Sequence, residues 1–200
     1  MFKKILKWIG IVVVVGFVVL VIVRMFVLDV KEKTDEQVAK IHATILTLDD
    51  VMGKNVPPDP GAEADKTVQG IDANENGIRD DVELAIFKEY PNSAKTRAVL
   101  LQYALVLQMQ MTLPIVNMET VTATVEDNES RALNCIWSIS SRSDMNKFMI
   151  ETSGNEEFVK LRQYNNEQRK KALDDLYEGN LGSYSSSNGS CDLNLSTLPN

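Results

Sequence analysis

The chain has one histidine and two cysteines, and each shortage excludes a class of site. A single histidine cannot build the multi-histidine sites that bind catalytic zinc, and it leaves little basis for a serine–histidine or cysteine–histidine nucleophile. That histidine, His42, lies beside an apolar helical stripe and is given no role. Acidic residues outnumber basic residues, since the chain has 28 Asp and Glu and 21 Lys and Arg. With a net charge of -7, the chain is poorly suited to bind nucleic acid.

Charge is absent from a long segment near the N-terminus. Residues 8–23 (WIGIVVVVGFVVLVIV) carry none, and the apolar run extends over Ile5–Leu28 if Lys7 and Arg24 reach toward the lipid headgroups. About 20 helical residues cross a bilayer core, so the segment predicts a transmembrane helix. The alternative is a cleaved secretory signal, but the run is long for one and no small-x-small cleavage site follows it. We therefore expect an uncleaved signal anchor over residues 1–29.

The side of the membrane follows less directly from charge. Three lysines lie in the short N-terminal tail, although basic residues beyond the apolar run nearly balance them. We expect a cytoplasmic N-terminus in an inner or plasma membrane, with the main domain periplasmic or extracellular. Beyond residue 30 the chain carries 17 basic and 27 acidic residues, a net charge of -10. A domain with this negative charge is better suited to bind a cation than to bind anionic lipid.

The segment after the anchor predicts an amphipathic stalk helix over residues 30–53. Thr34-Asp-Glu-Gln37 has the form of a capping box, which starts helices, and Gly53 is suited to end one. The stalk either packs on the domain or forms a short coiled coil. Its apolar positions recur every three or four residues, at Val38, Ile41, Ile45, Leu48 and Met52.

The sequence contains no strand–turn–strand series, so it predicts an all-α fold. We expect a helical domain over residues 54–178. Prolines make residues 54–70 a loop, and the β-branched residues 117–126 fit either strand or helix. The most apolar helix, ended by Pro114, should be central. The helices expected run from about Asp80 to Pro91, Ser93 to Leu113, Glu129 to Ile139 and Asn155 to Tyr177.

The C-terminal tail, residues 179–200, is rich in Ser, Gly and Asn and would be disordered unless it is held in place. Outside the cytoplasm two cysteines most often form one disulfide, so we expect a bond between Cys135 and Cys191. The alternative is a buried Cys135 and a free Cys191.

One sequence motif is typical of a metal-binding loop. Residues 72–83 (DANENGIRDDVE) match the pattern D-x-[DN]-x-[DN]-G-x5-E. Calcium prefers six to eight oxygen ligands, which alternate short side chains in a tight turn can supply, and Gly77 permits the positive φ of that turn. The alternative is a helix-capping turn without an ion. The expected ligands are Asp72, Asn74, Asn76, the backbone carbonyl of Ile78, Asp80 and Glu83.

This motif resembles the calcium loops of the EF-hand family over twelve residues. Only an exit helix is predicted, Arg79 stands where paired EF-hands have an aliphatic residue, and the loop has no second copy. The resemblance is therefore to half EF-hands of the dockerin type, within a bacterial single-pass membrane-anchored protein of an uncharacterised family. It implies a calcium ion as cofactor and an extracytoplasmic compartment, and it implies no catalytic activity.

The expected function is a membrane-anchored calcium-binding module with a structural or interaction role in the cell envelope, with a protein partner there. Two alternatives stay open. One is a hydrolase that uses the clustered carboxylates Asp80, Asp81 and Glu83, although no phosphate loop or histidine base accompanies them. The other is an accessory subunit of a membrane assembly.

Overall fold

The computed structural model describes residues 2–178 and 191–200. Within these ranges the chain is helical and contains no strand, which confirms the all-α prediction. Two 3-10 turns (Gly61–Asp65 and Leu195–Thr197) and one π-helical turn (Ala123–Glu129) accompany the α-helices. The α-helices are α1 Phe2–Ala43, α2 Leu48–Met52, α3 Asp80–Glu89, α4 Ala94–Thr112, α5 Met118–Thr122, α6 Ser130–Ser138, α7 Met145–Gln163 and α8 Glu167–Tyr177.

Helix α4 is the centre of the domain, as its apolar circumference predicts. It begins where the Ser93 hydroxyl accepts a hydrogen bond from the Thr96 amide at 3.1 Å, and it ends two residues before Pro114. Because α2, α3, α6, α7 and α8 all pack around it, nearly every side chain of α4 is buried. A helix surrounded in this way needs no polar face.

Helix α1 contains the predicted transmembrane segment. The side chains of residues 5–28 are exposed, and no other described part of the chain covers them. Among the described residues this is the one helix long and apolar enough to cross a membrane, a property that a signal sequence shares.

The predicted helix start at Thr34 is wrong, because α1 continues through it without interruption. The Thr34 hydroxyl donates to the Val30 carbonyl at 2.8 Å, as a threonine inside a helix does. It also accepts a hydrogen bond from the side-chain amide of Asn117 at 2.8 Å. The distal part of α1 packs here against α5 and the π-helical turn.

The predicted stalk stripe is also broken. Helix α1 ends at Ala43, and a new helix, α2, starts with a capping box between Thr47 and Asp50. The break changes the register, so Ile41 is buried while Ile45 is 52% exposed. Leu48 and Met52, which follow, are exposed as well. Gly53 ends α2 in a left-handed conformation (φ 71°), as predicted.

The single helix predicted over Asn155–Tyr177 is two helices. Helix α7 begins ten residues earlier than expected, where Asp144 accepts from the Lys147 amide at 3.1 Å. Helix α8 begins after Asn166, whose side chain accepts from the Arg169 amide at 3.0 Å. Each break lies at a side chain that competes well as an N-cap. The ambiguous residues 117–126 are helical, in α5 and the π turn.

The end of the tail is held on the domain. A disulfide joins Cys135 on α6 to Cys191, as predicted. Leu198 is buried in the core, and the Lys95 amide at the start of α4 donates to the Pro199 carbonyl at 3.2 Å. The part of the tail over residues 179–190 lies outside the described residues.

Candidate functional site

The loop of residues 72–83 (the 72–83 loop) joins the proline-rich segment to the first turn of α3. It turns sharply, with positive φ at Glu75 (57°) and Gly77 (82°). A Cβ atom on Gly77 would lie 2.7 Å from Leu105 Cδ1, so both the backbone conformation and the close approach to α4 favour glycine. The two ligands expected at the end of the loop, Asp80 and Glu83, are buried on α3.

The Asp72 carboxylate organises the turn. Its two oxygens accept hydrogen bonds from the backbone amides of Asn76, at 3.1 Å, and Gly77, at 2.8 Å. The Asn76 side-chain oxygen accepts from the Ile78 amide at 2.9 Å. The Asp80 carboxylate closes the base of the loop by accepting from the Ala73 amide at 3.0 Å. The loop therefore has a defined shape from its own side chains.

Glu83 brings the two halves of the loop together. One of its carboxylate oxygens accepts from the side-chain amides of both Asn74 and Asn76, at 3.1 Å each. The Asn74 amide also donates to the Asn55 carbonyl at 2.8 Å. The side-chain oxygen of Asn74 is buried and has no hydrogen-bond partner. A buried acceptor without a partner is costly, and such an atom marks a place where a ligand can bind.

Burial shifts the acidity of this site. Loss of solvent raises the pKa of Glu83 to about 7, and its two asparagine hydrogen bonds only partly oppose that rise. Burial likewise raises the pKa of Asp80. In the described ranges no ion pair involves Asp72, Asp80 or Glu83. The site thus concentrates carboxylates without a basic side chain to neutralise them.

The expected ligands are brought together only in part. Asp72, Asn74, Asn76 and Glu83 form one hydrogen-bonded group, whereas Asp80 is turned to the base of the loop. The Ile78 side chain is buried in the core. Because isoleucine has no side-chain oxygen, only its backbone carbonyl could bind a cation. Over residues 2–178 and 191–200 no three His, Cys, Asp or Glu side chains are arranged to hold a metal ion.

The orientation of the two asparagines decides whether the donor set fits a cation. Their nitrogens face Glu83 here. An amide rotated by 180° has nearly the same shape and presents its oxygen instead. Rotation of Asn74 and Asn76 would give up their hydrogen bonds to the Asn55 carbonyl and the Ile78 amide. In exchange it would direct two amide oxygens and the Glu83 carboxylate to one point. These neutral and anionic oxygens are the donors that calcium prefers.

Sequence reasoning missed the role of Arg79. Its fully buried guanidinium makes a two-pronged contact with Asp81, at 2.6 and 2.7 Å. It also donates to the backbone carbonyls of Arg162, at 2.8 Å, and Gln163, at 3.2 Å. The 72–83 loop is thereby fixed to the end of α7. The one available signal was an arginine at the loop position where an aliphatic residue was expected.

A cleft of about 590 Å³ opens beside the loop, between α1 and α4. Asp72 and Asn76 line one side of it, Lys40 another, and Leu105 and Met109 form an apolar part of the wall. Glu83 and Asp80 do not line it. The carboxyl groups with raised pKa values are therefore inside the protein and not on the surface of the cleft.

No protein-family model, curated protein or solved structure matches this chain.

Proposed function

We propose that this chain is a single-pass membrane protein whose helical domain lies outside the cytoplasm and is stabilised by a calcium ion in the 72–83 loop. Its role in the cell envelope would be structural or in binding another protein. The observation that carries the proposal is the position of Glu83, a buried carboxylate that contacts the side-chain amides of both Asn74 and Asn76, while the oxygen of Asn74 is itself buried without a hydrogen-bond partner.

Two features support the membrane anchor and the compartment. The exposed segment of α1 matches the length of a bilayer core, and no described residue shields it. The disulfide between Cys135 and Cys191 is of a kind that persists in oxidising compartments, such as the periplasm or the cell exterior. Both agree with an N-terminus in the cytoplasm and a domain on the other side.

Charge and donor chemistry support calcium. Asp72, Asn74, Asn76 and Glu83 would hold the ion through side-chain oxygens, with the Ile78 carbonyl and Asp80 completing the shell. A divalent cation would neutralise carboxylates that lack a basic partner and would satisfy the Asn74 oxygen. An ion bound to the folded state alone stabilises it by mass action. It would fix the proline-rich segment and α3 to the domain.

A partner protein is supported by apolar side chains near the far end of α1. Ile45, Leu48, Met52 and Val56 are each more than two-fifths exposed. Exposed apolar groups close together are typical of surfaces that bind other proteins. The hydrolase alternative has less support, because Asp80 and Glu83 are buried away from the cleft and Asp81 is engaged by Arg79.

Thermal unfolding of the full chain in detergent micelles tests the calcium site. We expect Tm to rise by about 5–10 °C between chelator and calcium at roughly a hundredfold above Kd. The double variant Asp72→Ala, Glu83→Ala should lose this rise. As a matched control, Asp59→Ala with Glu63→Ala removes two exposed acids nearby and should keep it. An equal Tm in calcium and chelator for the wild-type chain would refute the calcium site.

A further inference from the structure

Helix α7 carries an exposed apolar stripe. Ile150 is 74% exposed, which is more than any large apolar side chain of the apolar segment of α1. Leu161 is 65% exposed and lies on the same face, because the eleven residues between the two positions make about three helical turns. Gly154 and Glu157 lie between them on that face and are exposed as well. A helix face that meets water normally carries polar side chains instead.

Gly154 has no structural reason within the domain. It is the middle residue of the 19-residue helix Met145–Gln163, where glycine is destabilising relative to alanine. A Cβ atom built on it meets nothing within 4 Å, so no described part of the chain needs the space. A glycine in this position lets a second molecule approach the helix backbone closely.

Two charged residues flank Ile150 and Gly154. Lys147 lies one turn before Ile150, and Glu157 lies one turn after Gly154. The Lys147 ammonium is on the surface, 3.7 Å from Glu151 in the same helix. Glu157 takes part in no ion pair over residues 2–178 and 191–200. The stripe therefore presents a positive charge at one end and a negative charge at the other.

These four residues are complementary to themselves. The spacings from Lys147 to Ile150, to Gly154 and to Glu157 are three, four and three residues, which read the same from either end. If a second α7 lies antiparallel on the first, Ile150 of each copy meets the open space over Gly154 of the other. Lys147 of each copy then lies beside Glu157 of the other. Two-fold symmetry forms each of these contacts twice.

We propose that this stripe is a self-association surface and that its occupant is a second copy of this chain, with the two α7 helices antiparallel. The occupant is a second copy because the stripe itself supplies both halves of the fit: an exposed apolar side chain with a space to receive it, and a base with an acid. This pairing goes beyond the proposed function, since it needs neither the calcium ion nor the membrane anchor.

Sedimentation equilibrium of the full chain in density-matched detergent micelles tests the pairing. We expect the wild-type chain to show a monomer–dimer equilibrium. Gly154→Leu fills the space and should raise Kd by roughly tenfold. Its Tm should not fall, because leucine is the better helix former. Gln168→Leu adds the same side chain at an exposed position of α8 and should leave Kd unchanged.

Two results of that measurement would overturn the proposal. One is a wild-type chain that stays monomeric throughout. The other is a dimer that Gly154→Leu leaves intact, which would assign the association to another surface, such as the apolar segment of α1.

Charge reversal tests the antiparallel arrangement. Lys147→Glu or Glu157→Lys alone places like charges together at both ends of the interface and should raise Kd several-fold at low ionic strength. The two substitutions in one chain restore opposite charges and should return Kd close to the wild-type value. Lys171→Glu, at an exposed lysine of α8, is the matched control and should have no effect. Single reversals without effect, or a double variant that stays weak, would overturn this arrangement.

Discussion

The Arg79 guanidinium donates a hydrogen bond to the backbone carbonyl of Gln163, which is 3.2 Å away and 84 positions later in the chain. A neighbouring bond to the Arg162 carbonyl makes this the point where the 72–83 loop is attached to α7. Helix α7 in turn packs on α4, the centre of the domain. The loop is therefore fixed to the core through Arg79.

Replacing Arg79 with lysine should destabilise the domain by about 2–4 kcal/mol. Lysine keeps the charge, but it cannot make the two-pronged contact with Asp81 and reach two carbonyls together. Denaturant unfolding in micelles measures the loss. Arg142→Lys, at an exposed arginine, is the matched control and should change stability by less than about 0.5 kcal/mol. Equal effects of the two substitutions would contradict the role given to Arg79.

Gly70 should tolerate alanine less well than Gly61. Both have positive φ, at 67° and 56°. A Cβ at Gly70 would meet Arg79 Cδ at 2.4 Å, whereas one at Gly61 meets nothing within 4 Å. We expect Gly61→Ala to cost about 1 kcal/mol from backbone strain, and Gly70→Ala to cost about 2–5 kcal/mol because Arg79 must also move. If the two variants lost the same free energy of unfolding, Arg79 would not be held firmly in its position.

Removal of the disulfide should destabilise the domain by about 4 kcal/mol, because it closes a long loop. The two cysteines are 56 positions apart, and the bond holds residues 191–200 on α6. Unfolding of the double variant Cys135→Ala, Cys191→Ala measures the cost. The wild-type chain in reductant should show a similar loss. Thiol labelling of both cysteines in denatured, unreduced protein would instead reveal that the bond is absent.

Thr34→Val should cost about 1–2 kcal/mol, since it leaves the Asn117 amide without its partner. Thr44→Val is the matched control, because the half-buried Thr44 makes the same kind of bond to the carbonyl four residues earlier, and that bond is open to solvent. That control should cost less than about 0.5 kcal/mol. Restoring the hydroxyl with Thr34→Ser should recover most of the loss. If valine is as harmless at 34 as at 44, the contact does not hold α5 to α1.

Local signals predicted some elements correctly. Ser93 and Pro114 bracket α4 because a cap and a helix breaker act within a few residues of their own position. Gly53 ends α2 for the same reason. The pairing of Cys135 with Cys191 needed only the count of two and the compartment.

Other features depend on contacts that are distant in sequence. Thr34 is a good capping residue, yet α1 runs through it because Asn117 offers its side chain a partner there. Arg79 is buried because two carbonyls at the end of α7 receive it. Of the candidate calcium ligands, the sequence predicted the group of Asp72, Asn74, Asn76 and Glu83. The present orientation of Asp80 and of the asparagine amides depends on local hydrogen bonding that the motif does not specify.

The uninterrupted course of α1 gives the domain a mechanical property. Its last residue, Ala43, stands about 22 Å beyond Leu28, and the Thr34–Asn117 contact fastens the domain along that length. If α1 crosses a bilayer as proposed, a rigid rod of this kind has no joint at the membrane surface. When a thinner bilayer tilts the anchored helix by about 10°, the far end of the lever moves by about 4 Å. The thickness of the membrane would therefore determine the distance of the domain from the bilayer and the orientation in which it contacts neighbouring proteins.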